Sequence, residues 1–134
     1  MKLKKYKNLK KIGVVTTPFN GQTKDEPVHP GVDIANKTGT PIPALANGTV
    51  VSEGPVDNGM GNVVVLKDDK GNTHTYSHLS QFSVKPGTRV KKGQTIAKMG
   101  KSGNSYSPSG GDPSHLDIRI SDAYGRWINP MLYF

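Results

Sequence analysis

In Ser114-His115-Leu116-Asp117-Ile118-Arg119-Ile120, polar and apolar side chains alternate without a break from His115 onward. Period-two alternation marks a strand with one face on a core and the other toward a cleft or solvent. Leu116, Ile118 and Ile120 are then core residues, while His115, Asp117 and Arg119 share the opposite face. Just before lies Lys101–Pro113, rich in Gly, Ser, Asn and Pro, which predicts a long loop. Farther back the punctuation is regular. Thr49–Ser52, Val63–Lys67, Thr73–His78 and Thr95–Met99 read as strands, with turns at Asn58–Asn62, Asp69–Asn72, Pro86-Gly87 and Lys92-Gly93. Thr16–Val28 reads as an irregular entry loop broken by Pro18, Gly21 and Pro27. Nowhere do apolar residues recur at helical spacing over several turns. The expected fold class is all-β and antiparallel.

At 134 residues the chain has the size of one domain with one core. It contains no cysteine, so any metal must be held by His, Asp or Glu. The net charge of +8 favours an anionic partner such as a cell wall. Much of that charge sits in Met1–Lys11, which reads as a solvated basic tail. The expected division is a basic segment over residues 1–15 and a domain over residues 16–134. Ile12–Val15 is too short for the apolar core of a signal peptide, and no stretch is long enough to span a membrane. The expectation is a soluble monomer without an export address of its own. Aromatic residues make up only 7%, and no basic strand interleaves them, which argues against a nucleic-acid partner.

Three segments hold the metal-capable residues that look organised. His29-Pro30-Gly31-Val32-Asp33 is a bend entering a strand, able to turn an imidazole and a carboxylate toward one point. Thr73–Ser80 places His74, Tyr76 and His78 on one side if it stays a strand. Ser114–Ile120 adds His115, Asp117 and Arg119. A solvated polar face would explain the last segment equally well if it stood alone.

Taken together and in this order, the segments resemble the lysostaphin-like metallopeptidases, the M23 family of cell-wall endopeptidases. H-x-G-x-D is His29-Pro30-Gly31-Val32-Asp33. G-T-P-x-x-A is Gly39 to Ala44, and G-x-V is Gly48-Thr49-Val50. G-x-G-N-x-V is Gly59 to Val64. Y-x-H-L-S is Tyr76 to Ser80. A V-K-x-G-x-x-V-x-x-G-Q-x-I run fills Val84 to Ile96. The closing H-L-H is represented by His115-Leu116-Asp117, and a trailing N-P by Asn129-Pro130. The resemblance implies an antiparallel two-sheet domain of the duplicated-hybrid-motif type, with long loops flanking a metal-binding groove. It implies one zinc ion held by His29, Asp33 and Asp117, with His78 and His115 as catalytic histidines. Asn62 is expected to touch substrate, Tyr76 is a candidate for the same role with a core or rim position as the alternative, and His74 is expected at the rim. The implied activity is hydrolysis of peptide bonds in peptidoglycan cross-bridges or stem peptides. The expected place of action is the cell wall, reached as part of a longer exported protein or through phage lysis.

Position 117 departs from the family, which usually has histidine there. Aspartate is a competent zinc ligand, but the added negative charge weakens the metal as a Lewis acid. It also shifts preference somewhat toward manganese or iron, with zinc still expected. The family commonly carries an acid two places later, where this chain has Arg119. A guanidinium there would orient Asp117 and offset its charge, the other reading being that Arg119 simply faces water. The alternative is a catalytically inactive relative that binds cell-wall peptide or a protein partner. A lipoyl or biotin carrier would leave the His/Asp set unexplained, and a histidine phosphocarrier would not need Asp33 and Asp117 to converge.

Overall fold

The computed structural model describes residues 7–21, 28–103, 105 and 111–134. In chain order the elements are helix α1 (Lys7–Ile12) and strands β1 (Val14–Thr17), β2 (Gly31–Ala35), β3 (Pro41–Pro43), β4 (Gly48–Val56), β5 (Gly61–Asp68) and β6 (Thr73–Ser77). Then come β7 (Leu79–Phe82), β8 (Arg89–Val90), β9 (Thr95–Met99), β10 (His115–Ser121), β11 (Trp127–Ile128) and a closing 3-10 helix, Pro130–Tyr133. The larger sheet runs β1-β2-β10-β6-β5-β4-β8, with β11 against β10, and the smaller runs β3-β9-β7. Every strand pair is antiparallel.

The all-β, two-sheet expectation holds, and the alternation in β10 explains why. Leu116, Ile118 and Ile120 are fully buried together with Val32 and Ile34 of β2 and Val64 and Leu66 of β5. Ile42 of β3, Leu79 of β7 and Ile96 of β9 join the same core from the smaller sheet. The other face of β10 is left to carry polar side chains.

Two expectations about the chain's beginning change. The basic segment is not all tail: α1 ends on Ile12, which is fully buried in the core. Strand β1 then runs across residue 15, where a boundary was expected, and pairs with β2. Residues 1–6 lie outside the described residues, as do 22–27 of the entry loop and 104 and 106–110 of the loop before β10.

A larger correction concerns β6. The predicted strand through His78 stops at Ser77, because His78 takes a left-handed backbone with φ 63°. There the chain leaves the larger sheet and enters β7 of the smaller one. His74 and Tyr76, ahead of the kink, point into the core and are fully buried, so neither lies on a polar face with His78.

Burial of His74 is matched by hydrogen bonds. Its Nε2–H donates to Asp68 Oδ2 at 2.8 Å. The Tyr133 hydroxyl donates to the same oxygen at 3.2 Å and accepts from Asn72 Nδ2 at 2.8 Å. Asp68 Oδ1 accepts the backbone N–H groups of Lys70 and Asn72, at 3.0 and 2.9 Å. One carboxylate thus closes the predicted β5–β6 turn and anchors the C-terminal 3-10 helix.

Burial lowers the pKa of His74 and outweighs the opposing pull of Asp68. For Asp68, burial works against ionisation, but the hydrogen bonds from His74 and the turn outweigh it and lower its pKa. Both folded-state values lie below the unfolded ones, so the stability they contribute is present above the unfolded values and lost as pH falls. In the presence of a chelator, the margin in urea midpoint between the native protein and His74→Gln is therefore expected to narrow between pH 7.5 and 5.5. Tyr133→Phe should cost about 0.5–1.5 kcal/mol at pH 7.5, the range for one net hydrogen bond; unchanged midpoints would remove this network from the fold's support.

Candidate metal centre

β2 and β10 bring two carboxylates face to face: Asp33 and Asp117 are direct register partners. Like charges opposed across a strand pair repel unless cations intervene. Gly31 permits the close approach, since a Cβ there would lie 2.3 Å from the Ile118 carbonyl oxygen and 2.7 Å from Arg119 Cγ.

His29 supplies the imidazole from the bend before β2. Its backbone N–H donates to the Gly21 carbonyl and its own carbonyl accepts from Asn20, which fixes the bend. Its ring is buried, with Nδ1 2.7 Å from the Gly31 carbonyl. A carbonyl only accepts, so Nδ1 carries a proton and Nε2 faces the carboxylates. Nε2 lies 3.2 Å from Asp33 Oδ1 and 3.3 Å from Asp117 Oδ2. The approach to Asp33 is too bent for a hydrogen bond, and Asp33 Oδ1 is a buried oxygen without a partner. Ser77 Oγ, on the residue that pairs with Asp117 from β6, is a second orphaned buried oxygen.

Arg119 clamps Asp117 from its own strand. Its Nε donates to Oδ1 at 3.0 Å and its Nη2 to Oδ2 at 2.8 Å, a bidentate pairing. Burial opposes a charge on His29, but contacts with Asp117 and Asp33 outweigh it and push its pKa up to about 10. Burial also opposes ionisation of Asp117, yet the His29 and Arg119 hydrogen bonds hold its pKa down to about 2.

One ligand atom from each of His29, Asp33 and Asp117 lies within 4.8 Å of the others. One imidazole nitrogen and two carboxylate oxygens suit zinc, whose three-ligand sites leave a position open. The loose contacts and the orphaned Asp33 oxygen fit a cation at their centre better than a finished hydrogen-bond network.

Beside this group, the rings of His78 and His115 lie 4.3 Å apart, tilted by 38°. Each is oriented by a backbone carbonyl. His78 Nδ1–H donates to Ser102 O at 2.7 Å and His115 Nδ1–H to Pro113 O at 2.9 Å. Both Nε2 atoms are left free of those bonds. Burial, and then the neighbouring His115, lower the pKa of His78 and favour its neutral form.

The structure therefore gathers His29, Asp33, Asp117, Arg119, His78 and His115. It does not bring Tyr76: that side chain is fully buried, and its hydroxyl accepts the Leu45 N–H at 2.9 Å. His74 is likewise no rim residue. Asn62 is partly buried and donates from Nδ2 to the Leu79 carbonyl at 3.2 Å, bracing the segment next to His78. Ser77 and Ser102 were missed; a lone serine gives no pattern to read.

Residues 27–130 match the peptidase family M23. The chain belongs to this family. It is 42% identical over 81 residues to the glycyl-glycine endopeptidase ALE-1 of Staphylococcus capitis, covering 60% of this chain and 22% of that protein. It is 35% identical over 103 residues to the murein hydrolase activator NlpD of Escherichia coli, covering 77% and 25%. This M23 domain thus spans about a quarter of the length of those curated relatives. The catalytic domain of the antimicrobial peptidase lysostaphin from Staphylococcus simulans shares its fold, with a TM-score of 0.74 and 29% identity over 93% of each chain.

The glycine at the strand crossing gives a direct check on the M23 site's geometry. Gly31→Ala should lower stability by about 1–3 kcal/mol, the usual range for overpacking, and weaken divalent-metal binding. Urea denaturation and a metal titration would measure both; a variant with native values in each would show that the close approach is not needed.

Proposed function

We propose that this domain is a zinc-dependent endopeptidase that cuts peptide bonds in bacterial peptidoglycan. The observation that carries the reading is the convergence of His29, Asp33 and Asp117 beside an oriented histidine pair. His29, Asp33 and Asp117 would hold the ion, which when bound supplies Lewis acidity at the scissile carbonyl. The chain's own residues handle the protons. His115, on the strand that carries Asp117, takes the proton of the attacking water through Nε2. His78 is neutral at rest, and its Nε2 is a second acceptor at the same place. The proton gained by the pair is returned to the leaving amine, and an imidazolium N–H stabilises the developing oxyanion. Asn62 acts at one remove by bracing the Leu79 carbonyl.

Arg119 adjusts the charge that the metal feels. Held on both oxygens, the Asp117 carboxylate donates less strongly than a free one would. The excess of basic residues, net charge +8, favours adsorption to an anionic wall.

The second reading is a binding domain without hydrolysis. It is favoured by the double engagement of Asp117 with Arg119 and by the likeness to a protein described as a hydrolase activator. Elemental analysis and a wall-turbidity assay separate the two. The native protein is expected to carry one zinc per chain and to clear walls. Asp33→Ala should lose the metal, whereas His115→Ala and His78→Ala should keep it and lose hydrolysis. A native protein with full zinc and no activity on any wall would establish the binding reading.

The Asp117–Arg119 pair gives a sharper expectation. Arg119→Ala alone should lower activity near neutral pH, and should cost much less in an Asp117→His background. The coupling in transition-state free energy is expected at about 1–3 kcal/mol. Additive effects would make Arg119 a bystander.

A further inference from the structure

The kink at His78 requires something to aim the ring once the strand has ended. The ring bond goes to the Ser102 carbonyl at 2.7 Å, and the His78 backbone N–H goes to the Met60 carbonyl at 2.8 Å. Met60 and Ser102 belong to segments that are packed backbone to backbone. A Cβ on Gly61 would lie 2.4 Å from the Ser102 carbonyl carbon. One on Gly103 would lie 2.4 Å from both Gly59 O and Gly61 N. Both glycines have positive φ, 68° and 72°, which other residues rarely adopt.

Contact alone leaves the two segments free to slide, and the Ser102 hydroxyl removes that freedom. Its Oγ accepts the Asn62 N–H at 3.0 Å and donates to the Leu79 carbonyl at 2.8 Å. Asn62 opens the second position of β5, and Leu79 follows His78 directly. Asn62 Nδ2 reaches the same Leu79 carbonyl at 3.2 Å. The hydroxyl therefore ties the segment that orients the His78 ring to the segments on either side of His78.

We propose that Ser102 is the positioning residue of His78. Its side chain pins its own backbone so that the carbonyl selects the Nδ1–H tautomer and leaves Nε2 toward the metal centre. The proposal rests on the reading of His78 as a proton-transfer group, but the tautomer can be observed without any reaction. Ser102 touches neither substrate nor metal in this assignment. Its effect is carried by one carbonyl and one ring.

The experiment combines nitrogen–proton correlation NMR of the histidine rings with steady-state kinetics on native, S102A and S102T proteins. Native His78 should show a single neutral tautomer, protonated on Nδ1. S102A should show a mixture, with kcat about 10- to 100-fold lower, the range for a misplaced catalytic group, KM little changed and zinc content intact. S102T, which keeps the hydroxyl, should restore both the tautomer and kcat. Gly103→Ala, which forces the same segments apart, should mix the tautomers as S102A does. A native-like His78 spectrum in S102A and Gly103→Ala would overturn the proposal. A native protein that clears no walls, yet loses its single tautomer in S102A, would leave the positioning role standing and remove only the hydrolytic reading.

Discussion

Asp33 and Asp117 stand directly opposite each other on adjacent strands, and the rest of the site is a response to that pairing. Two carboxylates in register repel, and a buried charge without a counter-charge costs several kcal/mol. His29 and Arg119 supply positive charge from two directions. His29 reaches the gap between the carboxylates, and Arg119 holds Asp117 from behind. The elevated pKa of His29, about 10, expresses this demand: in the metal-free protein a proton on Nε2 is the cation between the acids. A divalent ion at the same point would meet the same need with more charge. The register of β2 against β10 thus sets up both the repulsion and a place where a cation would relieve it.

The same economy governs the histidines. Three of the four in the chain, His29, His78 and His115, have Nδ1 against a backbone carbonyl: those of Gly31, Ser102 and Pro113. Each carbonyl fixes a tautomer and leaves Nε2 free of that bond. His74 has the reverse arrangement, with Nε2–H on Asp68, and it serves the core. Which nitrogen is held, and by what, separates the site histidines from the structural one better than exposure does, since His29 and His74 are both buried.

Much of this was legible in the sequence because it follows from strand parity. The alternation in Ser114–Ile120 placed Leu116, Ile118 and Ile120 in the core and Asp117 and Arg119 together on the other face. The bend at His29-Pro30-Gly31 and the turn at Asp69–Asn72 were equally readable. Parity failed at His78, where a left-handed residue ends β6. Counting alternate positions put His74, Tyr76 and His78 on one side; the kink sends His78 to the site and leaves the other two in the core. No side-chain pattern announces that a non-glycine residue will adopt positive φ. The burial of Ile12 was hidden for a different reason. A short helix rich in lysine shows too few apolar positions to display a period, so one buried isoleucine reads as an accident.

Arg119 decides how the unusual third acid should be understood. Counting ligands alone, two carboxylates and a neutral imidazole bring a divalent ion to a formal charge of zero, one unit below the common family set. The residue two places on reverses the comparison. Where the family commonly has an acid, this chain has a guanidinium bonded to both Asp117 oxygens, so the whole group is one unit more positive than its relatives rather than less. A carboxylate whose charge is drawn toward Arg119 behaves more like a neutral donor, which is the character the replaced histidine would have had. Asp117 alone would weaken such a centre; Asp117 and Arg119 together would substitute one donor system for another. The strand alternation makes this possible, because positions 117 and 119 face the same side and lie close enough for one side chain to reach back to the other.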